Sequence, residues 1–71
     1  MKNGWIFLDT FTPNGEWLIS LNNGAFYELV NSSYGSSSIM FPVSKGDIVK
    51  LYHYNFGGNG TIRAAVFYPC K

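Results

Sequence analysis

The stretch that decides the fold is Phe41–Lys71, FPVSKGDIVKLYHYNFGGNGTIRAAVFYPCK. Two β-favouring runs, 48–55 and 61–68, flank one glycine-rich turn, 56–60. In the first run Ile48, Lys50, Tyr52 and Tyr54 share one face, and Val49, Leu51 and His53 the other. In the second, Ile62, Ala64, Val66 and Tyr68 oppose Thr61, Arg63, Ala65 and Phe67. A period of two is the signature of strands. Lys50 and Arg63 mark the faces turned to water, so Val49, Leu51, Ile62, Ala64 and Val66 are expected in the core. Tyr52, Tyr54 and Phe67 are then left on an outer surface, where large aromatics suggest an interface or a ligand platform. A sequence that closes on a hairpin offers no further catalytic element, so a non-enzymatic binding or assembly module is expected.

The same grammar extends back along the chain. Of the 71 residues, 25 are Gly, Pro, Asn or Ser, and they interrupt every window long enough for a helix. Four more strands fit between them, at 4–10, 16–22, 25–31 and 39–41. Thr12-Pro13-Asn14-Gly15 and Asn22-Asn23-Gly24 read as turns. Ser32–Ser38 reads as a serine-rich loop around Tyr34, and Ser44-Lys45-Gly46-Asp47 as a polar turn. Trp5-Ile6-Phe7-Leu8 is apolar on both faces, which predicts a strand between two layers. The expectation is an all-β fold: one domain over 1–71, a small antiparallel sandwich of about six strands with no long helix.

Composition sets the partners. The chain is 46% hydrophobic, 18% aromatic and 13% charged, with net charge +1. The five basic residues are scattered, which speaks against nucleic acid. No apolar run exceeds five residues, too short for a signal-peptide core or a membrane span. A chain this small buries only about 60% of its unfolded surface. Disulfides, metals or association usually make up the shortfall. One cysteine, Cys70, cannot pair internally, and His53 with Cys70 cannot complete a zinc site. No metal or cofactor is expected, and self-association remains.

Certain segments look familiar. Pro42-Val43-Ser44-Lys45-Gly46-Asp47-Ile48-Val49-Lys50-Leu51, a glycine-rich turn, and a closing strand ending Val66-Phe67-Tyr68-Pro69-Cys70-Lys71 resemble the C-terminal domain of bacteriophage and prophage tail-fibre or receptor-binding proteins. Asn3-Gly4-Trp5-Ile6-Phe7-Leu8 is similar to that module's opening, and Leu18-Ile19-Ser20-Leu21-Asn22-Asn23-Gly24-Ala25-Phe26 to its hairpin. The resemblance covers Gly4 to Lys71. It implies a compact relative of the C1q and tumour-necrosis-factor jelly rolls, a homotrimer, and residence in a virion tail or, before assembly, the host cytoplasm. Such modules usually carry a further strand before the opening motif. Its loss would bare a sheet edge beside Gly4 that a neighbouring subunit could cover.

Sugars stack on aromatic rings while amides and hydroxyls take their hydroxyl groups. The candidate ligand-binding residues for a bacterial surface polysaccharide are therefore Tyr34, Asn55, Phe56, Asn59 and Trp17. The candidate oligomer-interface residues are Tyr52, Tyr54, Phe67 and His53. Glu16 and Glu28 fall on neighbouring strands and could meet, but a sandwich this small offers little cleft for glycoside hydrolysis. The alternatives are a structural trimerisation or capping domain with no ligand, and a free-standing bacterial carbohydrate-binding module.

Overall fold

The computed structural model describes residues 3–70. Six strands form two three-stranded antiparallel sheets: β1 Gly4–Thr12, β2 Gly15–Leu21, β3 Tyr27–Ser32, β4 Gly35–Val43, β5 Val49–Asn55 and β6 Thr61–Pro69. One sheet has the order β4-β1-β6 and the other β3-β2-β5. The fold is a small all-β sandwich, and every connection except β2–β3 crosses from one sheet to the other.

The Trp5–Leu8 run does form a central strand. β1 pairs with β4 on one side and β6 on the other, so the edge expected to lie bare beside Gly4 is occupied on both flanks. The free edges lie elsewhere. Inward from β1 point Ile6, Leu8, Thr10 and Thr12; outward point Trp5, Phe7, Asp9 and Phe11. Leu8, Trp17 and Ile19 are the fully buried apolar side chains of the described residues. Thr10, Thr12 and Ser20 are sealed from water, and each has a partner, as burial demands. The Thr10 hydroxyl donates to the Ser37 carbonyl at 3.2 Å, and Ser20 to the Gly24 carbonyl at 2.9 Å. Thr12 Oγ1 meets His53 Nε2 at 2.8 Å. At the same end, Gly15 lies against the Tyr54 carbonyl, where a Cβ would collide with backbone.

β4 runs nine residues from Gly35, where sequence suggested a loop to Ser38 and a strand of three. Its serines find partners on β1, Ser36 to Ser38 lying opposite Phe11 to Asp9. Pro42 is tolerated because β4 pairs only with β1, and proline's missing N–H can face the unpaired edge. Asp47 does what a turn acid does. Its carboxylate accepts the Ser44 N–H at 2.8 Å and the Asn22 amide at 3.2 Å, while Asn22 in turn accepts the Ile48 N–H. Asn22 and Asn23 hold positive φ of 54° and 60°, the backbone that asparagine tolerates best.

Two bulges overturn faces read from simple alternation. β6 pairs Ala64 with Asp9 but Ile62 with Thr10, so Arg63 is the extra residue. Beyond it the alternation is reset. Val66, expected in the core, lies opposite outward-facing Phe7, and Phe67, expected outside, lies opposite inward-facing Ile6. A second bulge, between Trp17 and Leu18, puts Val30 opposite Trp17 and Glu28 opposite Leu18, so Glu28 and Val30 do not share a face. β5 keeps its expected alternation. Val49, Leu51 and His53 lie opposite Leu21, Ile19 and Trp17, with Tyr52 and Tyr54 outside.

The sheets come closest along β3 and β4 and through β1; no Cα atom of β5 lies within 8 Å of one of β6. A cleft of about 270 Å³ opens there, lined by Ile6, Leu8, Val49, Leu51, Ala65, Val66 and Phe67.

Candidate functional site

The outer face of β3-β2-β5 carries a continuous file of aromatic rings. Alternate residues of β5 stand on one face about 6.7 Å apart along the strand, which sets Tyr52 beside Tyr54 with ring centroids 6.2 Å apart. Phe26, from the β2–β3 connection, lies 6.5 Å from Tyr52. Phe56, at the start of the β5–β6 loop, lies 5.2 Å from Tyr54 with its plane tilted by 36°. All four rings are 50–55% exposed. Two edge-to-face contacts and one tilted contact hold them as a set while each ring stays half exposed.

The polar surroundings are built from the neighbouring strands and the loop. Glu16 is opposite Tyr54 on β2, and Asn31 is opposite Glu16 on β3. A hydrogen bond to the Glu28 carboxyl, helped by some loss of water and by like-charge repulsion, raises Glu16 above its ordinary value of 4.5. Asn31 donates to Glu28 at 3.4 Å. At the loop end, the Asn55 side-chain carbonyl accepts the Gly57 and Gly58 N–H groups at 2.9 and 2.7 Å, and its amide donates to Asn59 at 3.1 Å. The Phe56 N–H donates to the Asn14 carbonyl, which pins the loop to the β1–β2 turn.

Of the expected ligand residues, Asn55, Phe56 and Asn59 therefore come together at one end of the ring file. Tyr34, 77% exposed, belongs to the β3–β4 turn and the other sheet. Its ring meets Phe11 edge-on at 5.1 Å, beside Arg63, which reaches over the Phe11 ring and pairs with Asp9 at 3.1 Å. Trp17 is a correction. It is 7% exposed, and its indole N–H donates to the Phe11 carbonyl at 2.9 Å, so it closes the core and offers no ring to a ligand.

Among the expected interface residues, Tyr52 and Tyr54 form the middle of the ring file. Phe67 lines the inter-sheet cleft. His53 is also corrected: it points inward, with its ring 5.0 Å from Trp17 and hydrogen-bonded to Thr12, where it completes the polar end of the core. Cys70 is an exposed free thiol. No group of three or more His, Cys, Asp or Glu side chains suited to a metal occurs among the described residues. Sequence reading missed Phe26; nothing in the spacing tied a residue of a turn to a strand twenty-six positions later.

No family model matches the chain, and the searches of curated proteins and of solved structures return no significant match.

Proposed function

We propose that this chain is a non-enzymatic binding and assembly module that holds a bacterial surface glycan on the outer face of β3-β2-β5. The observation that carries the reading is the file Phe26–Tyr52–Tyr54–Phe56: four half-exposed rings in a row, flanked by Glu16, Glu28 and Asn31 on one side and by Asn55 and Asn59 at one end. Rings stack on the apolar faces of sugars, and carboxyls and amides fix their hydroxyls. A file of this kind suits an extended glycan chain better than a single sugar. The setting that the sequence resemblance implies is a phage or prophage tail tip, assembled as a homotrimer.

Binding of the purified protein to intact bacterial cells and to an array of their surface polysaccharides tests the reading. Tyr54→Ala and Phe56→Ala each remove one stacking ring and are expected to weaken binding by about 1–3 kcal/mol, by analogy with base–aromatic stacking. Tyr34→Ala, on the other sheet, leaves it unchanged. Binding that survives both ring deletions, or no binding to any glycan, contradicts the proposal.

A second reading, a structural assembly module without ligand, is favoured by a separate observation: the open apolar cleft between β5 and β6 and the exposed apolar side chains of β6. The two readings agree on self-association and differ over the ring file.

A further inference from the structure

Among the described residues, β6 presents a long apolar strand edge without a partner. Within the described residues it pairs with β1 alone, and β5, its neighbour in sequence, belongs to the other sheet. All nine residues from Thr61 to Pro69 are exposed except Ala64, which is half-buried. Its one charge, Arg63, sits at the bulge and is paired with Asp9. The run from Ala64 to Tyr68 carries none of the lysines or inward charges with which natural proteins protect such an edge.

The strand is complementary to itself. Laid antiparallel against a second β6 with Val66 on the two-fold axis, Ala64 falls opposite Tyr68 and Ala65 opposite Phe67. Each small side chain meets a large one on the same face, and no like charges are opposed. The inward pair places Phe67 of the second copy beside Ala65, which lines the cleft. The outward pair continues a surface already formed by Trp5, Phe7 and Met40 on the neighbouring strands. We propose that β6 pairs with β6 of a second copy of this chain across Val66, joining two three-stranded sheets into one of six strands ordered β4-β1-β6-β6-β1-β4. The contact is two-fold, so it predicts an even number of chains in place of the three that the sequence resemblance implies. It rests on the self-association included in the proposed function and leaves the ring file, on the other sheet, free.

The test is a cysteine placed on the axis. In antiparallel pairs, opposite Cα atoms lie about 4.5–5.5 Å apart, within the range a disulfide spans. Val66→Cys in a Cys70→Ser background, mildly oxidised at micromolar concentration, is expected to form a covalent dimer. Its rate should exceed that of Ser38→Cys, on the opposite edge of the same sheet, on the order of a hundredfold, because the paired thiols face each other at high effective concentration. Equal rates overturn the β6 pairing. Sedimentation of the unmodified protein distinguishes the two levels of failure. A monomer defeats both the pairing and the self-association, whereas a trimer with slow Val66→Cys cross-linking defeats the pairing and leaves self-association standing.

Discussion

The two sides of the sandwich are built differently. Where β3 meets β4 and β1 turns into β2, the sheets close over Leu8, Trp17 and Ile19 and over hydrogen-bonded threonines. Where β5 and β6 run, the sheets part and Val49, Leu51 and Phe67 remain only partly covered. The closed side mixes apolar side chains with hydrogen-bonded Thr10, Thr12 and His53, whereas the open side is lined by apolar residues alone. Within the described residues, one half of the core is closed and the other stands open.

That contrast breaks most severely at Trp17. Trp17→Ala removes a buried ring and a hydrogen bond on the closed side and is expected to cost about 3–5 kcal/mol. This is comparable to the whole stability of so small a domain, about 0.05–0.15 kcal/mol per residue. Loss of a cooperative thermal transition checks it. The matching change on the open side, Phe67→Ala, is expected to shift the transition of a dilute sample by less than a third as much. It should weaken self-association instead, read by sedimentation over a concentration series. Equal effects at the two positions would erase the distinction between the sides.

A smaller effect is expected at the polar end of the closed side. Thr12→Val keeps the shape of the side chain and strips His53 of its partner, which costs about 1–3 kcal/mol; chemical denaturation measures it. An unchanged midpoint would mean that the Thr12–His53 contact does not support the core.

The smallest effect belongs to the exposed acid pair. The fold holds the Glu16 proton more tightly than the unfolded chain does. As pH rises above 4.5, the unfolded chain releases that proton first, so stability falls until the folded pair has also ionised. Glu28→Gln removes the carboxyl to which Glu16 is hydrogen-bonded and, with it, the like charge. Its melting temperature should therefore decline less as pH rises above 4.5 than that of the unaltered chain, and an identical pH profile would contradict the pairing.

How far the sequence led is visible in the same elements. Turn residues and alternation placed all six strands, because Asn, Gly and Pro punctuate the chain for local reasons. They did not place the bulges at Arg63 and between Trp17 and Leu18, since a bulge is a property of two paired strands and leaves no mark in either alone. Everything downstream of a bulge is inverted, which is why Val66 and Phe67 exchanged faces. The serines of β4 looked like a loop because their pairing with β1 is long-range. Trp17 was read as a ligand residue and His53 as an interface residue because the partners that hold them inside, the Phe11 carbonyl and Thr12 on β1, are set by the fold; for His53 the partner lies far back along the chain. Of the candidate site, Tyr52, Tyr54, Phe56 and the asparagines of the loop were legible; Phe26 was not, because it joins the file only through the fold of the β2–β3 connection.

Whether another copy of the same chain covers the open side is decided by sedimentation equilibrium of the unaltered protein across micromolar concentrations. A reversible even-numbered assembly, a dimer at the lower end, is expected; a stable monomer throughout that range would rule out the β6 pairing.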